Sequence, residues 1–189
     1  MPKRVDVNAR RTEILDAAVR VFARKGFAAS RIEDVAAEAG VAKGSVYLAV
    51  SSREELLTAA FDQYRARAEE QLARPGTGSA LERLAALIRA TVAMLAAHPD
   101  HARVLLDVWA ARTPIDMAAV YAEYRSAIAE LLGEASADGQ LRAGIGPGHA
   151  AVIVGAIEGC LVQWLADDQV RLVDLAEPIV QICVEGIRR

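Results

Sequence analysis

At 189 residues, 53% of them hydrophobic but only 5% aromatic, the chain is long enough to bury a core without disulfide or metal staples. Its formal charge of −3 argues against a general coat for nucleic acid, and its Ala- and Leu-rich composition suits an all-α protein. The opening MPKRVDVNARR is charged and has no apolar run behind it, so it reads as neither signal peptide nor anchor.

The charge is uneven. Residues 1–60 carry ten Lys/Arg against eight Asp/Glu (+2), and residues 61–189 carry twelve against seventeen (−5), which together give the total of −3. A mildly basic head on an acidic body permits DNA contact at one end. Cys160 and Cys183 read as small buried apolar residues in a reducing compartment, and a cytoplasmic location is expected.

Helical periodicity dominates from the first segment. Ile14, Ala17, Ala18, Val21 and Phe22 fall at i, i+3, i+4, i+7 and i+8, one apolar stripe that Gly26 ends. Ser30 with Glu33, Ser52 with Glu55 and Ser79 with Glu82 have the spacing of capping boxes. Thr113–Pro114 and Gly146–Pro147 mark two further starts, since proline suits the first helical position. The expected map is nine helices, at about 8–25, 31–38, 42–48, 52–73, 79–97, 100–111, 114–136, 147–166 and 173–187.

The second and third of these, joined at Gly40, meet the steric conditions of a helix-turn-helix. Ala36 is small where the two helices cross, and Val35, Ala39, Val41, Val46 and Ala49 are apolar where they face each other and the first helix. Gly40 can take the left-handed turn without a Cβ penalty. Facing outward on the second helix are Ala42, Lys43, Gly44, Ser45, Tyr47 and Leu48. Small residues let such a helix enter a major groove, while Lys43 and Ser45 offer hydrogen bonds to base edges or phosphates and Tyr47 can reach the DNA backbone. Arg31 and Arg53 are expected to flank the groove as phosphate clamps.

The stretch Arg11 to Phe61 resembles the DNA-binding domain of the TetR family of bacterial transcriptional repressors. The resemblance rests on Ile14, Leu15, Ala17, Ala18, Phe22, Gly26, Ser30, Val35, Ala36, Ala39, Gly40, Val41, Gly44, Ser45, Tyr47, Glu54 and Leu56. After Tyr47 the chain departs from the family pattern, reading Leu48, Ala49, Val50 where polar or aromatic residues and then Phe are common; Val50 fills less space than Phe behind the recognition helix. The resemblance implies a three-helix DNA-binding head at residues 1–51 and a helical ligand-binding and dimerisation domain at 52–189, with 52–73 as the connecting helix. It also implies a ligand-responsive repressor, not an enzyme, that binds a double-stranded palindromic operator as a homodimer.

The body permits this. The segment 147–166 is apolar almost all round and 173–187 strongly so, as expected of helices that meet a second copy of the chain. A bilayer is the poorer home for the first of them, because Glu158 at its centre would cost ~2.5 to 3.5 kcal/mol there. A pocket for a small-molecule effector has candidates in Phe61, Tyr64, Thr91, Met94, His98, Val108, Trp109, Arg112, Met117, Tyr121, Tyr124, Glu158 and Trp164, apolar walls with a few polar points. His98 and His101, with Asp107 nearby, flank Pro99 at a helix boundary and read as capping or surface residues, not metal ligands. No phosphate loop, nucleophile elbow or catalytic carboxylate pair is legible, so no cofactor is expected.

Overall fold

The computed structural model describes residues 7–72, 76–110, 113 and 115–189. Among the described residues there are nine α-helices: α1 Val7–Lys25, α2 Ile32–Glu38, α3 Lys43–Ala49, α4 Arg53–Leu72, α5 Ala80–Ala97, α6 Pro99–Ala110, α7 Met117–Ala137, α8 Ala150–Ala166 and α9 Ala176–Cys183. They form two compact units, one made of residues 1–66 with 99–115, the other of 67–98 with 116–189.

In the first unit the α1 stripe of Ile14, Ala17, Ala18, Val21 and Phe22 is buried together with Val35 and Ala36 of α2 and Val46 of α3. Leu56, Leu57 and Ala60 of α4 and Ala102, Val104 and Val108 of α6 are also buried in this unit. Gly26 ends α1 at φ 76°, its N–H donating to the Phe22 carbonyl at 2.8 Å, and Phe27 then meets Phe22 edge to face at 5.4 Å. Gly40 ends α2 at φ 65°. The N–H of Gly40 donates to Ala37 at 3.2 Å and that of Val41 to Ala36 at 2.9 Å, the paired bonds that close a helix through a left-handed residue. Val50, extended and buried, stops α3 and fills the space behind it.

Two of the three expected capping boxes are altered. Ser30 Oγ, almost fully buried, donates upstream to the Gly26 carbonyl at 2.7 Å, so the start of α2 moves to Arg31, whose N–H is taken by the Asp34 carboxylate at 3.0 Å. Ser52 Oγ does accept the Glu55 N–H at 3.0 Å, but the Glu55 carboxylate turns to the Ser51 N–H at 2.7 Å and the Ser51 hydroxyl. Only Ser79 and Glu82 close a reciprocal box, at 3.3 and 2.7 Å.

In the second unit α5 buries Leu81, Leu84, Ile88, Val92 and Leu95, and α7 buries Val120, Ile128 and Leu132. Arg89 of α5 grips Glu177 of α9 with two bonds, at 2.6 and 2.8 Å. The chain end is tied back by the Arg142 N–H to the Ile187 carbonyl at 3.0 Å and the Arg189 N–H to Gln140 at 2.9 Å. Cys160 and Cys183 are both free, and burial, with Cys160 close by, raises the Cys183 thiol above its ordinary range.

Three helices, α7, α8 and α9, differ from their expected bounds. The start of α7 lies at Met117 because Asp116 accepts the Ala119 N–H at 3.1 Å; Pro114 lies outside the described residues. Pro147–His149 forms a 3-10 turn ahead of α8. The ninth helix is shorter than 173–187, with 3-10 turns at Leu172–Leu175 and Glu185–Ile187. A helix begun at 173 would place Pro178 beyond its first turn, where the missing N–H removes a bond; begun at Ala176, it holds Pro178 within the first turn, where no such bond is owed.

Candidate nucleic-acid interface

The outward face of α3 is open. Ala42, Lys43 and Gly44 are exposed and Ser45 is half-buried, while Tyr47 is 48% and Leu48 91% exposed. Nothing lies within 4 Å of where a Cβ on Gly44 would stand, so the helix presents bare backbone at that point. Arg31, at the head of α2, is exposed as well.

Lys43 is not a bare cation. Its Nζ lies 2.6 Å from Glu33 Oε1 and 5.7 Å from the centre of the Tyr47 ring. The hydrogen bond to Glu33 lifts the Lys43 ammonium above its ordinary pKa, and the same bond holds the Glu33 carboxyl below its own. Glu33, expected to cap α2 with Ser30, is thus a partner of the recognition helix. Other head charges are paired too: Arg20 and Arg24 share Glu38 at 2.8 and 2.9 Å, and Lys25 holds Asp34 at 2.6 Å. Exposed pairs such as these contribute only ~0.2 to 1 kcal/mol each, so their consequence here is the field that DNA meets.

That consequence is measurable. Glu33→Gln frees Lys43 for a phosphate, and each added phosphate contact steepens the slope of log K against log salt by about 0.9. Titrating a random-sequence duplex at several salt concentrations is expected to show that increase, with affinity gained for all sequences alike. An unchanged slope would mean that Lys43 already leaves Glu33 when DNA arrives.

Arg53, expected to flank the groove as a phosphate clamp, is turned toward the backbone of its own head in this structure. Its Nη1 donates to the carbonyls of Phe27, Ala28 and Ser30 at 3.3, 3.1 and 3.1 Å, its Nη2 meets Glu54 at 3.2 Å, and the guanidinium lies 4.4 Å from the centre of the Phe27 ring. The side chain is committed to the α1–α2 turn.

A second group that sequence reasoning did not place is Asp107 of α6, whose Oδ2 takes the Phe27 N–H at 3.0 Å. The bond crosses 80 residues of sequence, a separation over which no local spacing rule operates. On the same helix His101 stacks on Tyr64 of α4 at 5.0 Å.

The candidate effector residues divide between the units. Phe61, Tyr64 and Val108 are buried in the first; in the second Met94 is buried and Thr91, His98, Met117, Tyr121, Tyr124, Glu158 and Trp164 are half-buried. Arg112 and the side chain of Trp109 lie outside the described residues. His98 is the C-cap of α5.

On α8 Ala150, Ile153, Ile157 and Leu161 form the buried stripe. The opposite face, Ala151, Val152, Gly155, Gly159, Val162, Gln163 and Ala166, is exposed, with Glu158 half-buried on its flank. An added Cβ at Gly155 or Gly159 would meet nothing within 4 Å.

Two family patterns match this chain: bacterial regulatory proteins of the tetR family over residues 14–60, and the tetracyclin repressor-like C-terminal domain over residues 77–187. The chain belongs to the TetR family. Among TetR-type relatives, the fatty acid metabolism regulator protein of Bacillus subtilis is 29% identical, over 93% of this chain and 94% of that one. The nicotine-responsive transcriptional repressor HdnoR of Paenarthrobacter nicotinovorans is 26% identical over 97% and 98%. A crystal structure of the regulator FadR from Bacillus subtilis in complex with stearoyl-CoA superposes with a TM-score of 0.76 at 28% identity, covering 93% of this chain and 98% of that one.

Proposed function

We propose that this TetR-family protein is a ligand-responsive transcriptional repressor of the cytoplasm, not an enzyme: a homodimer whose two α3 helices read a palindromic operator until a small molecule in the helical body releases it. The observation that carries the reading is the α2–Gly40–α3 turn, with a buried inner face and an outer face of small, exposed residues ending in Tyr47. Two such helices on one dimer suit half-sites about 34 to 36 Å apart. The exposed small-residue face of α8 is the proposed contact between copies, together with the exposed Ile182 of α9, since an apolar helix face open to water calls for a partner.

Residues 52–189 supply the effector site in this reading, with Met94, Thr91, Tyr121, Tyr124 and Trp164 among its lining. Release is proposed to run through α6 as well as α4. Because Asp107 of α6 holds the Phe27 N–H and His101 stacks on Tyr64, a shift of α6 displaces the α1–α2 turn. A coupling of ~1 to 3 kcal/mol gives a 5- to 150-fold change in operator affinity.

The test begins with retention of fragments of the source genome by purified protein at near-physiological salt, followed by sequencing. One or a few palindromic sites are expected, lost on Tyr47→Ala. Stearoyl-CoA, the ligand in the FadR complex, is the first effector to titrate against that operator. Uniform, salt-sensitive retention of all fragments would overturn specific regulation.

A further inference from the structure

The outward positions of α3 carry little that can hydrogen-bond a base. Of residues 42, 43, 44, 45, 47 and 48, Ala42, Gly44 and Leu48 have no polar side-chain atom, the Lys43 ammonium is engaged by Glu33 at 2.6 Å, and Ser45 and Tyr47 offer hydroxyls that do not single out one base. Guanine is ordinarily read by Arg or Lys, adenine by Asn or Gln, and cytosine by Asp or Glu. Apart from that engaged lysine, none of those residue types stands at these positions. Leu48 meanwhile is 91% exposed, the most exposed large apolar side chain described in the protein. It lies four residues from Gly44, whose missing side chain leaves open space beside it on the same face.

The major groove offers one apolar feature, the C5-methyl group of thymine. We infer that Leu48 reads operator sequence by packing on a thymine methyl in each half-site, with the bare backbone at Gly44 allowing the close approach and Tyr47 and Ser45 supplying hydrogen bonds beside it. The inference rests on the regulator reading above and names the base feature that the recognition helix selects. The same methyl chemistry exists on 5-methylcytosine; thymine is the source we assign.

Two random-sequence duplex libraries, one with thymine and one with deoxyuridine throughout, distinguish the possibilities when each is selected on the full-length protein and sequenced. Deoxyuridine pairs as thymine does and lacks only the methyl. The thymine library is expected to yield a palindrome, and that palindrome made with deoxyuridine to bind about fifteen-fold more weakly, from about four-fold for each of two buried methyl groups. Leu48→Ala, at a site so exposed that the fold is retained, is expected to bind the two forms equally; unchanged circular dichroism checks the fold. Equal binding of both forms by the unaltered protein, or the same ratio in Leu48→Ala, would overturn the inference and leave the regulator reading standing. Enrichment from neither library would overturn both. A third library with deoxyuridine and 5-methylcytosine separates the sources, since a palindrome recovered from it but not from the thymine library would overturn thymine.

Discussion

Val152→Asp combined with Ile182→Asp is expected to convert the protein to monomers and to weaken operator binding by 10² to 10⁴-fold, the gain that linking two binding modules ordinarily provides. Val152 is 65% and Ile182 73% exposed in the subunit, so aspartate at either position meets water in the monomer and costs its fold little. In the proposed dimer each would bury an unpaired charge, which association cannot repay. Sedimentation and operator titration read the two effects separately. A companion change sharpens the sign: Gly159→Leu has room in the subunit and replaces glycine mid-helix by a residue better suited to it, stabilising an isolated subunit by up to about 1 kcal/mol. If close helix approach uses Gly159, the same change weakens association. A double aspartate variant that still sediments as a dimer would remove α8 and α9 from the interface.

Arg53→Ala is expected to lower the stability of the head by about 1.5 to 3 kcal/mol, the range for hydrogen bonds made by a charged group, with a small further loss from the ring of Phe27. The change leaves the carbonyls of Phe27, Ala28 and Ser30 without the donor that gathers them. Arg53→Lys keeps the charge and three donors on one nitrogen, but loses the planar group over the Phe27 ring and the second nitrogen that meets Glu54, so it is expected to recover only part of the loss. Denaturation of the full chain without DNA measures both. A phosphate clamp would behave in the opposite way, with DNA affinity falling and unfolding unchanged, and that pattern would restore the role expected from sequence.

Arg53 and Lys43 mark the limit of local reasoning. Arg53 was legible as a cation near a helix start; that its partners are the carbonyls of a turn 23 to 26 residues away was not. Lys43 was legible as a residue on the outer face of α3, but its engagement by Glu33 at 2.6 Å depends on how α2 and α3 pack across the Gly40 turn. Glu33 reads as a capping residue because the Ser-x-x-Glu spacing is a valid local signal. Ser30 donates instead to the carbonyl of Gly26, four residues back, so one local partner displaces another.

Sequence by itself determined the helical class, the α2–Gly40–α3 turn, the inner and outer faces of α3 and the apolar character of α8. Each of those follows from interactions within about one helical turn: a 3.6-residue period, a glycine free to take φ 65°, a small residue where two adjacent helices cross. Tertiary structure alone decided which charges are engaged and that Asp107 of α6 holds the turn of the DNA-reading head. Hydrogen bonds and ion pairs act over a few ångströms, and the chain brings such groups together only after folding closes loops of tens of residues, which no local pattern records.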